Sequence, residues 1–209
     1  MKIYLASGHG GSDTGAISGV NNERDEVNTI VNQTITNLKL KPQNGFVIVQ
    51  VPNELRLEEN VKWINSDNDG RDGNICIEVH LNSNEGTPGT GTETYYGEPN
   101  LANVVHNKIV GVLKLKNRGV KEGNFLYFNN ATKPESCLVE LGFINNITDL
   151  QIIRERGATA LTSAIERIMA IYNVKVEAPP PSKDVLLTEV KNKLLKEIED
   201  LKAIHDMLN

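Results

Sequence analysis

Four side chains in this sequence are of the types that a hydrolytic metal site needs: His9, Glu23, His80 and Glu140. A zinc ion that serves hydrolysis is usually bound by three protein side chains, commonly histidines with a carboxylate, and keeps one position for water. A carboxylate that does not bind the metal often takes the proton of that water. Each of the four residues lies at the end of a predicted element or in an apolar run, where perturbed acid–base behaviour is expected.

Taken singly, three of these residues could have purely structural roles. His9 could be a hydrogen-bonded loop histidine, His80 could be a satisfied strand histidine, and Glu23 could favour the dipole of a helix N-terminus. Glu140 is harder to account for in this way, because an ionised carboxylate in an apolar strand is costly without a partner or a cation. The prediction of a metal site therefore depends on all four residues meeting.

Two predicted strands would place both histidines at one edge of a sheet. The stretch MKIYLA reads as an opening strand, and the glycine-rich loop SGHGGSDTGA, from Ser7 to Ala16, follows it. In Ile75–Asn82, alternation places Cys76, Glu78 and His80 on one face. If the two strands are parallel, His9 and His80 lie at the same end of the sheet, where open α/β sheets bind ligands.

The remaining periodicity alternates between helix and strand, which predicts an α/β fold with helices on both faces of the sheet. Helical spacing of apolar residues predicts helices at Asp25–Leu40, Leu55–Asn65, Leu101–Leu115 and Arg154–Asn173. Further strands are predicted at Phe46–Val51, Thr92–Glu98, Phe125–Phe128 and Cys137–Phe143. His106 and His205 lie on predicted helices, and we expect both to be solvated.

The last part of the chain has a different composition. We predict a catalytic domain over residues 1–174, a proline-rich linker over 175–183 and an amphipathic helix over 184–209. A single helix after a linker either docks back on the domain or pairs with another copy, which would make a homo-oligomer. Both alternatives stay open at the level of sequence.

Composition excludes several classes of partner. The formal net charge of −5 over 209 residues argues against a surface for nucleic-acid backbone and against an electrostatic membrane anchor. No apolar run reaches the length of roughly 20 residues that crosses a bilayer, and no signal peptide is visible. We therefore expect synthesis in the cytoplasm and no membrane insertion. Cys76 and Cys137 lie in separate apolar runs and are predicted to be buried thiols.

Five motifs, in this order, resemble the zinc-dependent N-acetylmuramoyl-L-alanine amidases of the amidase-3 family. They extend from Met1 to about Tyr172 and read SGHGGSDTGA, NNERDEVN, IEVHLNSNEGTPGTGTETYY, RGVKEGNFLYF and CLVELGFINNITD. The resemblance implies a mixed, mostly parallel sheet flanked by helices and hydrolysis of the amide bond between N-acetylmuramic acid and L-alanine of peptidoglycan. An enzyme of this kind acts on the cell wall, as an endolysin or an autolysin does.

The resemblance also assigns roles to residues. It implies one Zn²⁺ per chain bound by His9, Glu23 and His80, with Glu140 as the catalytic acid and base. Glu26 is an alternative carboxylate, although Glu23 fits the family spacing better. The chain has Ser7 where the family usually has proline before the Gly-His pair, a position that shapes the turn.

Three more polar residues are predicted to support the site. Asp13 and Asn82 are expected to stabilise the turn and to orient the ligands. Glu93 is expected to orient a ligand or the substrate.

Competing interpretations remain at this stage. A non-catalytic peptidoglycan-binding module could keep the same fold, although the intact set of four chemical residues argues against it. The loop from Asn65 to Gly70 partly imitates a calcium loop, but Cys76 stands where the bidentate glutamate is needed. A phosphate cradle in the glycine-rich loop is also disfavoured, because the Gly-Lys-Ser/Thr ending of a P-loop is missing.

Overall fold

A six-stranded mixed sheet forms the centre of the computed structural model, which describes residues 1–41, 45–70, 73–97, 99–123, 127–172 and 191. Its strands are β1 (Lys2–Ser7), β4 (Val47–Gln50), β5 (Ile75–Asn82), β6 (Thr92–Tyr96), β7 (Asn117–Glu122) and β8 (Glu135–Phe143), in the order β4-β1-β5-β8-β6-β7. All neighbours run parallel except β6 and β8, which are antiparallel. A small hairpin of β2 (Ile17–Ser18) and β3 (Asn21–Asn22) lies outside the sheet. The predicted mixed, mostly parallel sheet is confirmed.

Helices cover both faces of this sheet. They are α1 (Glu23–Lys39), α2 (Leu57–Asp67), α3 (Pro99–Leu113), α4 (Tyr127–Ala131) and α5 (Ile147–Tyr172). Alternation along β1 shows the division: Ile3 and Leu5 join the large core under α1, α3 and α5, whereas Tyr4 and Ala6 join a smaller core under α2 and α4. The smaller core does not extend to the carboxyl-terminal ends of the strands on the face covered by α2 and α4. Polar side chains occupy that part of the face.

The start of α1 is fixed by a side-chain cap. The Asn22 side chain accepts a hydrogen bond from the Asp25 backbone N–H at 2.9 Å, which satisfies one of the free donors of the first turn. The helix therefore begins at Glu23, two residues before the predicted start. Glu23 is thus held by the first turn of a helix instead of lying in a loop.

Some predicted elements differ from the structure. Tyr127–Ala131 is helical where a strand was predicted to end at Phe128, and residues 124–126 lie outside the described residues. The strand β7 was predicted as a loop because its sequence, NRGVKE, has only one large apolar residue. His106 was predicted to be solvated, and this is wrong: it is buried between Thr94 and Asn117, which lie 3.0 and 2.8 Å from its two ring nitrogens.

The remaining predictions concern the cysteines, membrane spans and the end of the chain. Cys76 and Cys137 are buried free thiols, as predicted. Among the described residues, no helix combines the length and the apolar character that a membrane span requires. The described part up to residue 172 belongs to one compact unit, Met1–Val174. Apart from Lys191, the predicted linker and C-terminal helix, with His205, lie outside the described residues and stay predictions.

Candidate metal centre

His9 and His80 meet at the carboxyl-terminal ends of two neighbouring parallel strands. The Gly8 N–H donates to the Val79 carbonyl at 3.0 Å, which extends the pairing of β1 with β5 up to the two histidines. Their imidazole rings lie edge to face, with centroids 4.9 Å apart. The parallel arrangement that the prediction required is therefore present.

The Glu23 carboxylate lies between the two imidazoles. Its Oε2 is 3.3 Å from His9 Nε2, and its Oε1 is 3.0 Å from His80 Nδ1. One ligand atom from each of the three residues lies within 4.8 Å of the others. Two imidazole nitrogens and one carboxylate oxygen at such separations match the donor set of a three-ligand zinc site. Within the described part of the chain, this is the group of His, Cys, Asp and Glu side chains whose atoms converge in this way.

Backbone groups fix the carboxylate in this position. The Leu81 N–H donates to Glu23 Oε1 at 2.9 Å, and the Ala16 N–H donates to Oε2 at 3.0 Å. Glu23 is only 4 % exposed. Each oxygen thus has one backbone donor and one imidazole neighbour, so the carboxylate cannot rotate without losing hydrogen bonds.

Two glycines of the loop are required by the closeness of these side chains. A Cβ added at Gly8 would lie 2.0 Å from His80 Nε2, well inside contact distance. At Gly15, where φ is +60°, an added Cβ would lie 2.6 Å from His9 Cδ2 and 2.7 Å from Glu23 Oε2. The glycine-rich loop therefore lets the backbone approach the three polar side chains directly.

Each histidine has an inner ring nitrogen, which lies near Glu23, and an outer ring nitrogen on the other side of the ring. A second carboxylate contacts the outer nitrogen in both cases. Asp13 Oδ2 lies 3.0 Å from His9 Nδ1, and Asp13 Oδ1 accepts from the Gly15 N–H at 3.0 Å. Glu78 Oε2 lies 3.2 Å from His80 Nε2. Contacts of this kind select the tautomer that leaves the inner nitrogen free to bind a metal.

Glu78 was not predicted to have a role, although the strand alternation had placed it on the same face as His80. The residue is fully buried, and its Oε1 has no hydrogen-bond partner among the described residues. Burial raises the pKa of Glu78, against the opposing effect of His80. A carboxylate so deep in the protein is a signal that only the structure makes visible.

The charges of the group favour a cation. Burial alone would raise the pKa of Glu23, but hydrogen bonds with His80 and His9 outweigh it and hold the pKa below its usual range. For His80, burial disfavours the charged form, yet Glu23 and Glu78 raise its pKa well above the ordinary value. The buried carboxylates therefore favour positive charge beside them, and a divalent cation bound between the ligand atoms would supply it. The residues present fit a zinc ion.

Glu140 occupies the next strand, beside this group. It is the register partner of His80 across β5 and β8. The residue is partly exposed, but its Oε2 is shielded from solvent and has no hydrogen-bond partner among the described residues. Burial raises the pKa of Glu140 to about 7, against the lowering effect of His80. A carboxyl group with this pKa can both accept and give a proton near neutral pH.

Asn82 and Glu93, both predicted to support the site, contact each other. Asn82 Nδ2 donates to Glu93 Oε1 at 2.7 Å, and Arg118 Nε donates to Glu93 Oε2 at 2.7 Å. Lys121 Nζ donates to the same oxygen at 2.5 Å. Glu93 does not belong to the group formed by the two histidines and Glu23.

The alternative carboxylate, Glu26, points elsewhere. Its Oε2 accepts a hydrogen bond from Arg154 Nε at 2.9 Å, which pairs α1 with α5. The segment with partial likeness to a calcium loop begins in the last turn of α2 instead of a loop. Its Asp67 Oδ2 accepts hydrogen bonds from Lys2 Nζ at 2.9 Å and from Tyr4 at 3.0 Å. Of the two candidate carboxylates Glu23 and Glu26, Glu23 is therefore the one that lies with both histidines.

Comparison with known proteins supports one family. The family model described as N-acetylmuramoyl-L-alanine amidase, Amidase_3, matches residues 3–169. An uncharacterized protein of Bacillus subtilis, YqiI, is 30% identical over 78% of this chain and 82% of its own length. The N-acetylmuramoyl-L-alanine amidase LytC of the same organism is 29% identical over 73% of this chain, which spans 31% of that longer protein.

A solved structure of this kind superposes on the chain. The catalytic domain of CwlV, an N-acetylmuramoyl-L-alanine amidase of Paenibacillus polymyxa, matches with a TM-score of 0.70 and 26% identity, covering 84% of this chain and 100% of that domain. The sheet and the flanking helices are thus those of a known peptidoglycan amidase fold.

Proposed function

The chain belongs to the N-acetylmuramoyl-L-alanine amidase family, and we propose that it hydrolyses its peptidoglycan substrate with one zinc ion held by His9, Glu23 and His80. The bond is the amide between N-acetylmuramic acid and L-alanine of the stem peptide. The convergence of two imidazole nitrogens and a buried carboxylate within 4.8 Å supports this assignment. When bound, the ion would supply Lewis acidity toward the amide carbonyl and make a nearby water more acidic.

Glu140 is the residue that we assign to proton transfer. Its carboxylate takes a proton from the attacking water as the new C–O bond forms at the amide carbon. It then gives that proton to the nitrogen of L-alanine as the C–N bond breaks, which leaves a free amine and a lactyl carboxylate. The burial that raises its pKa to about 7 supports both halves of the cycle.

Asp13 and Glu78 are assigned to the orientation of the ligands. Each accepts a hydrogen bond from the outer nitrogen of one histidine and keeps the inner nitrogen unprotonated. Neither residue lies between the ligand atoms, so neither is expected to contact the substrate.

Digestion of purified peptidoglycan tests the function directly. We expect mass spectrometry to find new amino termini on L-alanine and intact lactyl groups on muramic acid. A zinc chelator should abolish the products, and added zinc should restore them. A muramidase that needs no metal, digested in parallel, controls for damage to the substrate by the chelator. Cleavage at glycosidic bonds, or full activity in the chelator, would contradict the proposal.

Substitution of Gly15 tests how the loop shapes the site. Gly15 and Gly19 have nearly the same φ, +60° and +61°, so alanine suffers similar backbone strain at either position. Only at Gly15 does the added Cβ meet His9 and Glu23, because nothing lies within 4 Å of a Cβ at Gly19. We expect Gly15→Ala to weaken zinc binding at least tenfold, measured by competition with a chelator of known affinity. Equal zinc affinity in Gly15→Ala and Gly19→Ala would show that the loop does not constrain the ligands.

The biological setting remains a prediction. The solved relatives include the catalytic domain of the endolysin CD27L, which is 26% identical with a TM-score of 0.62 and covers 81% of this chain, as well as CwlV. An endolysin-like or autolysin-like role, action on the cell wall after synthesis in the cytoplasm, and self-association through residues 184–209 are therefore kept as expectations.

A further inference from the structure

A row of polar side chains extends from the ligand group across four neighbouring strands. His80 on β5 is in register with Glu140 on β8, and Glu140 is in register with Glu93 on β6. Beyond them, β7 brings Arg118 and Lys121 onto Glu93. Two cations are thus aligned with the residue that we assign to proton transfer, on the side away from β1.

Glu93 serves as an anchor for these two cations. It is 2 % exposed, and its oxygens accept hydrogen bonds from Asn82, Tyr95, Arg118 and Lys121. Four donors fill the hydrogen-bonding capacity of one carboxylate. Glu93 therefore has no free lone pair with which to orient a substrate directly, which differs from the role predicted for it.

The two cations retain donors that Glu93 does not use. Arg118 donates through Nε, so its two terminal amino groups remain, and Lys121 keeps further N–H bonds on Nζ. Their side chains are 30% and 40% exposed, respectively. The Arg118 guanidinium also lies 5.0 Å from the centre of the Phe143 ring, and this contact fixes the orientation of the guanidinium plane. With one anion and two cations, the cluster has a net charge of +1.

The spacing of the row indicates which part of the substrate the cations would meet. Adjacent strands are about 4.8 Å apart, so groups that reach Glu93 from β7 lie roughly 5–10 Å from Glu140. One peptide residue spans about 3.5 Å. A group carried by the residue that follows L-alanine lies within this range when the scissile amide is at Glu140. The glycan side of the bond is uncharged, whereas the peptide side carries carboxyl groups.

We propose that Arg118 and Lys121 bind a free carboxylate on the second residue of the stem peptide. The enzyme then distinguishes peptidoglycan in which this carboxyl group is free from peptidoglycan in which it is amidated. The inference rests on the proposed function, because it takes the scissile amide to lie at Glu140.

Two synthetic muramoyl peptides test the inference. They differ only at the second peptide residue, which carries a carboxylate in one and a carboxamide in the other. A hydrogen bond to a charged group that becomes a charge–amide contact is expected to change kcat/KM by about 10- to 100-fold, in favour of the carboxylate. The difference should appear in KM, because the cations lie away from the reacting atoms.

Variants of the zinc-loaded enzyme locate the effect. Lys121→Met should lower the preference for the carboxylate peptide several-fold. Arg118→Gln combined with Glu93→Gln should also lower it several-fold, without leaving a buried carboxylate unpaired. Lys108→Met, which removes an exposed charge from α3, is the matched control and should keep the preference.

The outcomes separate this inference from the function on which it rests. Equal kcat/KM for the two peptides in the unmodified enzyme would overturn the inference and leave the amidase intact. An undiminished preference in the double variant would overturn the assignment to Arg118. Cleavage of neither peptide at the muramoyl amide would overturn both.

Discussion

Glutamine in place of Glu140 is expected to lower turnover by about 10³-fold while the zinc content stays at one ion per chain. The expected loss follows from the role of a positioned acid–base group, whose removal costs roughly 10²–10⁴-fold in rate. The ion should stay because Glu140 is not among the three residues whose ligand atoms converge. Turnover is measured by release of amino termini from peptidoglycan, and zinc by elemental analysis of the purified variant.

The pH dependence of the same variant provides a control. Burial raises the pKa of Glu140 from 4.5 to about 7. Since the attacking water needs the ionised form, activity should fall as the pH decreases through this pKa. A bound cation favours the ionised carboxylate. In the zinc-loaded enzyme we therefore expect the midpoint of this fall in activity between pH 4.5 and pH 7. The residual activity of Glu140→Gln should not show this fall as the pH decreases. Near-normal turnover in this variant, or the same fall in activity at low pH, would exclude Glu140 as the acid–base group.

Loss of the metal is the expected result of either His9→Ala or His80→Ala. The loss of an outer hydrogen-bond partner already costs about 10- to 100-fold in metal affinity, so removal of a ligand should cost more than about 100-fold. Zinc should fall from about one ion per chain to nearly none after dialysis, and peptidoglycan cleavage should fall with it. The affinities are compared by titration against a chelator.

His106 offers a matched control for this experiment. It is also a buried histidine with contacts to both ring nitrogens, but its neighbours are Thr94 and Asn117 instead of the ligand group. His106→Gln should lose some thermal stability and keep its zinc. Full zinc occupancy in both His9→Ala and His80→Ala, or zinc loss in all three variants, would contradict the ligand assignment.

Sequence periodicity predicted the sheet well because its central strands are continuously apolar. β1, β5 and β8 are buried on both faces, and their runs of Ile, Val, Leu and Cys are typical of strands with this environment. β7 was missed because it pairs with one neighbour, β6, and four of its six residues are only partly buried, so its polar sequence resembles that of a loop. Edge strands of this kind lack the pattern on which such predictions depend.

The site shows the same contrast between local and distant information. The glycines beside His9 and the end of the strand at His80 could be recognised in sequence, and the family motifs joined them to Glu23 and Glu140. Glu78 could not be assigned, because its contact with His80 depends on a side-chain orientation within the strand. The ring of donors around Glu93 was equally invisible, since it requires the pairing of β6 with β7, two strands that are separated by a helix.

The distance along the chain between the ligands has a thermodynamic consequence. Glu23 and His80 are 57 residues apart in sequence, yet β5 and the first turn of α1 bring them into contact in the site that we propose for the ion. An unfolded chain cannot present these atoms together, so the ion and the native state stabilise each other. At a zinc concentration about 100 times the dissociation constant, the free energy of unfolding should rise by about 2.7 kcal/mol. Depletion of zinc in the surroundings would then shorten the lifetime of the folded enzyme as well as stop its chemistry.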